Sequence, residues 1–295
     1  MVVGGSSHSG ALVEQRTSRR AFLVGAGVTG LGALGATWAV DEGLLPGRTG
    51  LRAVLGRNDG GAPIPDVPRG TLVHGSFESP ARLGARTGWT ICWPDGIEAG
   101  ARIPVLVMLH GHASDHTAAF EGLGMDRFLG RAVTRGLVPF AIASVDGGRD
   151  YWQPGPDGGD AGRMVVEEFV PLLTEHGLDT QRLSLGGWSM GGYGSLRLAG
   201  QRVLPVRSVA AFAPALHRAA TDEVLDFPDR LRGIPVQVSV GRGDMFYRID
   251  RGYVAAMQAQ GVQPEVHTGS GGHAQRFWRT FVPGLLRFTG EHLSS

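Results

Sequence analysis

From Thr71 onward, apolar positions follow two periods. Ile103–Leu109 and Leu137–Val145 are continuous apolar runs, as expected of strands buried on both faces. Met164–Glu175 instead places Val165, Phe169, Leu172 and Leu173 on one side of a helix, with Pro171 predicting a kink. The pattern predicts strands over Thr71–Phe77, Thr87–Trp93, Ile103–Leu109, Leu137–Val145, Arg182–Gly186, Ser208–Phe212, Pro235–Val240 and Pro264–His267. It predicts helices over Arg127–Arg135, Met164–Glu175, Gly191–Ala199, Asp250–Gln260 and Arg276–Phe288. The first two strands form a leading antiparallel pair. The later alternation through short links predicts an α/β domain: a mostly parallel central sheet with helices on both faces.

The first 70 residues lack this alternation. Residues 1–20 are polar and glycine-rich and end in Thr17-Ser18-Arg19-Arg20, and Ala21–Val40 carries no charge. This resembles a twin-arginine export signal: paired arginines, Phe22-Leu23, then a weakly hydrophobic stretch. The reading divides the chain into a signal segment (1–40), a proline-punctuated linker or wrapping arm (41–70) and a folded domain (71–295). It predicts the twin-arginine export machinery as a partner and a destination across the cytoplasmic membrane, in the cell envelope or secreted. Left uncleaved, residues 21–40 would be long enough, at roughly 1.5 Å per residue, to tether the protein in a bilayer. Gly25-Ala26-Gly27-Val28-Thr29-Gly30 also spells a dinucleotide-binding GxGxxG. That fold needs a ribose-binding acid about 20 residues further on. Asp41 and Glu42 come too early, and Pro46 and Gly47 break the unit.

Composition removes several function classes. The formal net charge is +1, with no basic field to attract nucleic acid. Every basic residue other than histidine is arginine, so a lysine Schiff base, a pyridoxal-phosphate anchor and a Walker A lysine are impossible. Cys92 is the sole cysteine, which excludes an intrachain disulfide and a cysteine-cluster metal site. It reads as a small buried hydrophobe in a strand.

The chemistry centres on Leu183-Ser184-Leu185-Gly186-Gly187-Trp188-Ser189-Met190-Gly191-Gly192-Tyr193-Gly194. Gly-x-Ser-x-Gly between a short apolar run and an Ala/Leu-rich run reads as strand, sharp turn, helix, with Ser189 strained at the turn. Side chains at Gly187 or Gly191 would collide across that turn. The following helix offers free N–H groups, and the Met190 amide is a candidate oxyanion donor. A serine hydroxyl needs a base to take its proton and an acid to orient the base. In such a sheet both arrive on loops after later strands, in the order acid, then histidine. Asp244 follows Val236–Val240, and His273 sits in the glycine-rich loop Gly269–Gly272 before the last helix. The second oxyanion donor is expected after Ile103–Leu109, from the amide of His112 first and Gly111 second, with the His110 imidazole supporting that loop by a hydrogen bond. Asp250 reads as a helix cap, His267 as a strand residue, and Asp222, Asp226 and Asp229 as solvated. His217 reads as a core or surface residue.

A competing constellation overlaps the oxyanion loop. His110-Gly111-His112-Ala113-Ser114-Asp115-His116 nearly spells His-x-His-x-Asp-His, a zinc-binding run that could activate water. One extra residue separates the second histidine from the aspartate, and this reading leaves Gly-Trp-Ser-Met-Gly without a purpose. The serine reading therefore predicts no metal and no cofactor.

Pro104–Gly111, Gly187–Gly194, the Gly-x-x-Asp-x-Phe around Asp244 and the Gly-Gly-His ending at His273 resemble the esterase D-like branch of the α/β-hydrolases. That branch includes feruloyl and acetyl-xylan esterases, S-formylglutathione hydrolases and secreted mycolyltransferases. The resemblance spans about Thr71–Leu293. It implies an α/β-hydrolase fold without a large lid domain and cofactor-free acyl transfer from an ester to water or another hydroxyl. Ser189 would be the nucleophile, Asp244 the acid and His273 the base. The substrate would be a small-molecule, lipid or carbohydrate ester, and transfer to a sugar or lipid hydroxyl is the alternative activity. A non-catalytic binding module on the same scaffold is a further one. The long loop Asp146–Asp160 is expected to shape the substrate pocket through Tyr151 and Trp152, with Trp188, Phe246 and Tyr247 around it. Arg149 and Asp160 are candidate polar contacts.

Overall fold

The computed structural model describes residues 61–216 and 228–294. The twin-arginine motif, the apolar stretch 21–40, the GxGxxG run, His217, Asp222 and Asp226 lie outside the described residues.

Eight strands form one sheet: β1 (Thr71–Ser79), β2 (Ala85–Trp93), β3 (Pro104–Leu109), β4 (Ala141–Val145), β5 (Asp179–Trp188), β6 (Val206–Phe212), β7 (Val236–Gly241) and β8 (Glu265–Gly269). Their spatial order is β1-β2-β4-β3-β5-β6-β7-β8. β1 pairs antiparallel with β2, and β2 antiparallel with β4. The other pairings are parallel, which points six C-terminal strand ends at one rim of the sheet.

The helices are α1 (Ala118–Glu121), α2 (Met125–Thr134), α3 (Ala161–Met164), α4 (Val170–Glu175), α5 (Met190–Gln201), α6 (Tyr247–Ala259), α7 (Gln275–Trp278) and α8 (Val282–Leu293). They cover the sheet from both sides because its strands are apolar on both. In β3, Val105, Val107 and Leu109 join a core with residues of α3 to α6, such as Met164, Leu173, Leu196 and Met257. The intervening Leu106 and Met108 join a second core with Phe128 and Leu129 of α2 and Leu285 and Leu286 of α8. This is an α/β-hydrolase fold, and no inserted lid domain interrupts it among the described residues.

Three elements differ from the sequence pattern. Leu137–Phe140 is apolar but lies outside β4, which pairs with its neighbours only from Ala141 onward. The predicted closing helix is two helices, α7 and α8, because Pro283 sits in the first turn of α8 and disfavours helix in the residues before it. The kink predicted at Pro171 takes the form of a π-helical turn, Val165–Phe169, joining α3 to α4. Proline has no N–H to return to Glu167, and the wider turn absorbs the mismatch.

The extended segment before β1 belongs to the compact unit Asn58–Ser295. Pro65 is buried, Gly61 lies against the Arg276 carbonyl, and Arg69 bonds Asp126 of α2 and Glu121 of α1.

Candidate active site

Ser189 sits between β5 and α5 with φ 54° and ψ −119°, a left-handed position that L-residues rarely adopt. Main-chain bonds enforce it. The Ser189 amide donates to Phe212 O at 2.8 Å, and its carbonyl accepts from Tyr193 at 3.1 Å and Ala215 at 3.0 Å. A β-carbon at Gly187 would lie 2.3 Å from the Gly191 carbonyl oxygen, so only glycine fits across the turn.

The loops after β7 and β8 are joined to each other. Arg242 N–H donates to Gly269 O at 2.7 Å and Gly243 N–H to Gly271 O at 2.9 Å. These two bonds bring Asp244 beside His273. The Asp244 carboxylate is buried, accepts from the Phe246 amide at 2.9 Å, and lies 2.8 Å (Oδ2) and 3.1 Å (Oδ1) from His273 Nδ1. His273 Nε2 is 2.8 Å from Ser189 Oγ. An ionised carboxylate only accepts, so Nδ1 carries the hydrogen and the Nε2 lone pair faces the serine hydroxyl. Phe246 and Trp278 meet the imidazole edge-on, with centroids at 5.0 and 4.8 Å, and fix its plane. The sequence candidates Ser189, His273 and Asp244 thus form one hydrogen-bonded chain.

Met190 is the first residue of α5, whose first-turn amides have no acceptor within the helix. Gly111 and His112 follow β3 beside it. Gly191 lies against the Leu109 and His110 carbonyls, which packs this loop onto the Ser189 turn. Gly111 is buried and His112 exposed. The neighbouring His110 is buried, and burial lowers its pKa and favours the neutral ring.

Of the aromatic residues expected at the pocket, Tyr151 is partly exposed, with its ring 6.4 Å from His112 and 6.0 Å from Tyr193. Phe246 borders His273. Trp152 and Trp188 are corrections. Trp152 is 0% exposed and fills a slot beside Gly147 and Gly194, and Trp188 is 2% exposed with its Nε1 turned beneath Gly111. Neither ring has a free face for substrate. Tyr247 packs against the α2/α8 core. Asp160 caps α3 by accepting from the Arg163 amide at 2.9 Å, and Arg149 is exposed.

Asp250 is not a cap. It is 1% exposed in the first turn of α6, and neither carboxylate oxygen has a hydrogen-bond partner. Burial first, and the Asp244 charge second, raise its pKa well above the usual carboxylate range. The signal was present in the sequence: Asp250, Tyr253, Val254 and Met257 recur at helical spacing, and all four are buried. His267 lies in β8, bonded to Glu265 at 2.6 Å. Asp229 is exposed.

The His/Asp run does not converge. Both His110 nitrogens meet backbone groups, Asp115 accepts from the amide and hydroxyl of Thr117, and His116 Nδ1 bonds Thr90 Oγ1 at 2.7 Å. Among the described residues, no three His, Cys, Asp or Glu side chains are grouped to hold a metal.

An eight-stranded sheet with a strained serine after β5 and an acid and histidine after β7 and β8 defines the α/β-hydrolase class. The sequence model of the Esterase family matches residues 81–288, and the chain belongs to that family. It is a hydrolase acting on esters. No curated protein matches the chain in sequence. Solved structures share its fold at low identity. A ferulic acid esterase superposes with a TM-score of 0.69 and 19% identity, over 76% of this chain and 99% of the other. An S-formylglutathione hydrolase from Staphylococcus aureus gives 0.62 and 14%, over 76% and 100%. A ferulic acid esterase from Anaeromyces mucronatus, in complex with ferulic acid, gives 0.63 and 19%, over 79% and 94%.

Proposed function

We propose that the protein is an exported serine esterase that cleaves a small-molecule carboxylic ester through an acyl-enzyme. One observation carries this reading: His273 stands within hydrogen-bond distance of both Ser189 Oγ and Asp244. Ser189 Oγ attacks the ester carbonyl carbon as its proton passes to His273 Nε2, and Asp244 holds the resulting imidazolium. The amides of Met190 and of Gly111 or His112 receive the charge that develops on the carbonyl oxygen. Collapse expels the alcohol, which takes the proton from Nε2. Water, deprotonated by the same nitrogen, then releases the acid and restores Ser189. The names of the structural neighbours, ferulic acid esterases and S-formylglutathione hydrolases, support a small ester as substrate. Export rests on Arg19-Arg20 followed by the uncharged stretch 21–40. The Arg19→Lys/Arg20→Lys double variant is expected to remain in the cytoplasm.

The test is a chain-length series of model esters with wild type and Ser189→Ala, alongside labelling by a fluorophosphonate. Wild type should label once, at Ser189. Ser189→Ala should fold, fail to label and lose at least about 10³-fold in kcat. Undiminished turnover by the folded variant would overturn the assignment.

A further inference from the structure

Tyr151 and Trp152 are consecutive non-glycine residues with φ of 56° and 58°. Backbone in this region persists only where its surroundings hold it. Here Trp152 is held on several sides. Its ring lies against Gly147 and Gly194, where an added β-carbon would come within 2.4 and 2.5 Å of it. Its carbonyl accepts from Arg197 Nη1 at 3.2 Å. Its indole N–H donates to His110 O at 3.3 Å, and the indole meets the His110 ring edge-on at 5.0 Å.

His110 uses both ring nitrogens. The Gly147 amide donates to Nε2 at 2.9 Å, so Nδ1 carries the hydrogen and donates to Gly111 O at 2.8 Å. The Gly111 carbonyl and the His112 amide belong to the same peptide plane, and in a trans peptide they point in opposite directions. Holding the carbonyl oxygen therefore aims the His112 N–H.

We infer that His110, wedged by Trp152, is a positioning residue that orients the His112 amide toward the oxyanion, and that the strained Tyr151–Trp152 turn exists to seat this wedge. The inference rests on the serine-esterase reading; the Trp152 bond to His110 O fixes the plane of the Gly111 amide in the same way. His110 touches no reacting atom; it acts through the peptide it holds.

The test compares kcat and KM for an oxygen ester and its thionoester, whose sulfur is a poor hydrogen-bond acceptor. Wild type should strongly prefer the oxygen ester. His110→Leu should lose about 10- to 100-fold in kcat on the oxygen ester, approaching the loss of a whole donor, with KM nearly unchanged. Its oxygen-to-thiono preference should collapse. His110→Asn, which retains a donor for Gly111 O, should recover most of both. Trp152→Phe, without the indole N–H, should shift the preference in the same direction, and it decides the matter should His110→Leu fail to fold. Ser189 should still label to completion with a fluorophosphonate in every folded variant. A fall in kcat with an unchanged oxygen-to-thiono preference means a merely structural role and overturns the inference, as would wild-type behaviour of His110→Leu. Absence of labelling in wild type, with activity retained in Ser189→Ala, instead overturns the underlying esterase reading.

Discussion

A β-carbon on Gly191 would lie 1.9 Å from the carbonyl oxygen of Leu109 and 2.7 Å from that of His110. The obstacles are backbone atoms at the end of a buried strand, so neither can turn aside as a side chain would. Gly191→Ala is therefore expected to destabilise the protein by about 3 kcal/mol or more, the upper end of overpacking. Thermal melts and ester turnover measure it, and a variant with an unchanged Tm and wild-type rate would refute the close packing of the loop after β3 on the Ser189 turn.

Asp244→Asn tests the tautomer. The Asp244 carboxylate accepts from the Phe246 amide and from His273 Nδ1. With an asparagine here, the amide oxygen keeps Phe246 N–H and the NH₂ faces Nδ1, which must then give up its hydrogen. Nε2 becomes the protonated nitrogen and cannot accept from Ser189. The expected loss in kcat is about 10⁴-fold with the fold retained, the scale seen when the acid of such a triad is made an amide. A variant still within tenfold of wild type would mean that Asp244 does not set the tautomer.

Stability should depend on pH through Asp250. Its pKa is raised well above 3.8 in the folded protein. Once the pH exceeds that unfolded value, the unfolded chain has released the proton while the native protein retains it. Folding then takes up a proton, so this group's contribution falls as pH rises from about 4 toward the raised native value. Asp250→Asn keeps the shape of the neutral acid and removes the proton uptake. The variant's margin in Tm over wild type should widen as pH rises above about 4. A margin that narrows would contradict the sign.

Cys92 should be silent in the native protein. Its side chain is fully buried in β2, and burial pushes the thiol up to about 12. The thiolate is the reactive form, so both access and ionisation are withheld. A thiol reagent at pH 8 is expected to give no signal with folded protein and one equivalent after denaturation. Rapid modification of the native state would show that β1 and β2 open readily.

The sequence made the sheet and the candidate serine, acid and histidine legible because each depends on local chemistry. Gly187-Trp188-Ser189-Met190-Gly191 specifies its turn through sterics that a neighbouring element cannot change. Asp244 and His273 are legible as candidates because each follows an apolar run that has to be a strand. The orientation of the large aromatics was not legible. Trp152 and Trp188 do lie beside the site, but the slots that turn their rings away are formed in part by Gly194 and Gly111, distant in the chain. The join between the loops after β7 and β8 was equally hidden, since main-chain bonds such as Gly243 to Gly271 leave no mark on side-chain type. Asp250 failed for another reason. Its residue type near a helix start signals a cap, and only the stripe it shares with Tyr253, Val254 and Met257 signals burial.

Arg69 stands two residues before the first strand and is joined to Asp126, whose carboxylate is otherwise buried with one oxygen unpartnered. A recombinant protein begun at Thr71, where the strand pattern starts, would strand that negative charge inside the second core. Such a truncation should melt earlier than one begun at Gly61, which keeps the tie. The useful boundary for crystallisation and library design is therefore set by this electrostatic tie and not by the first β-residue.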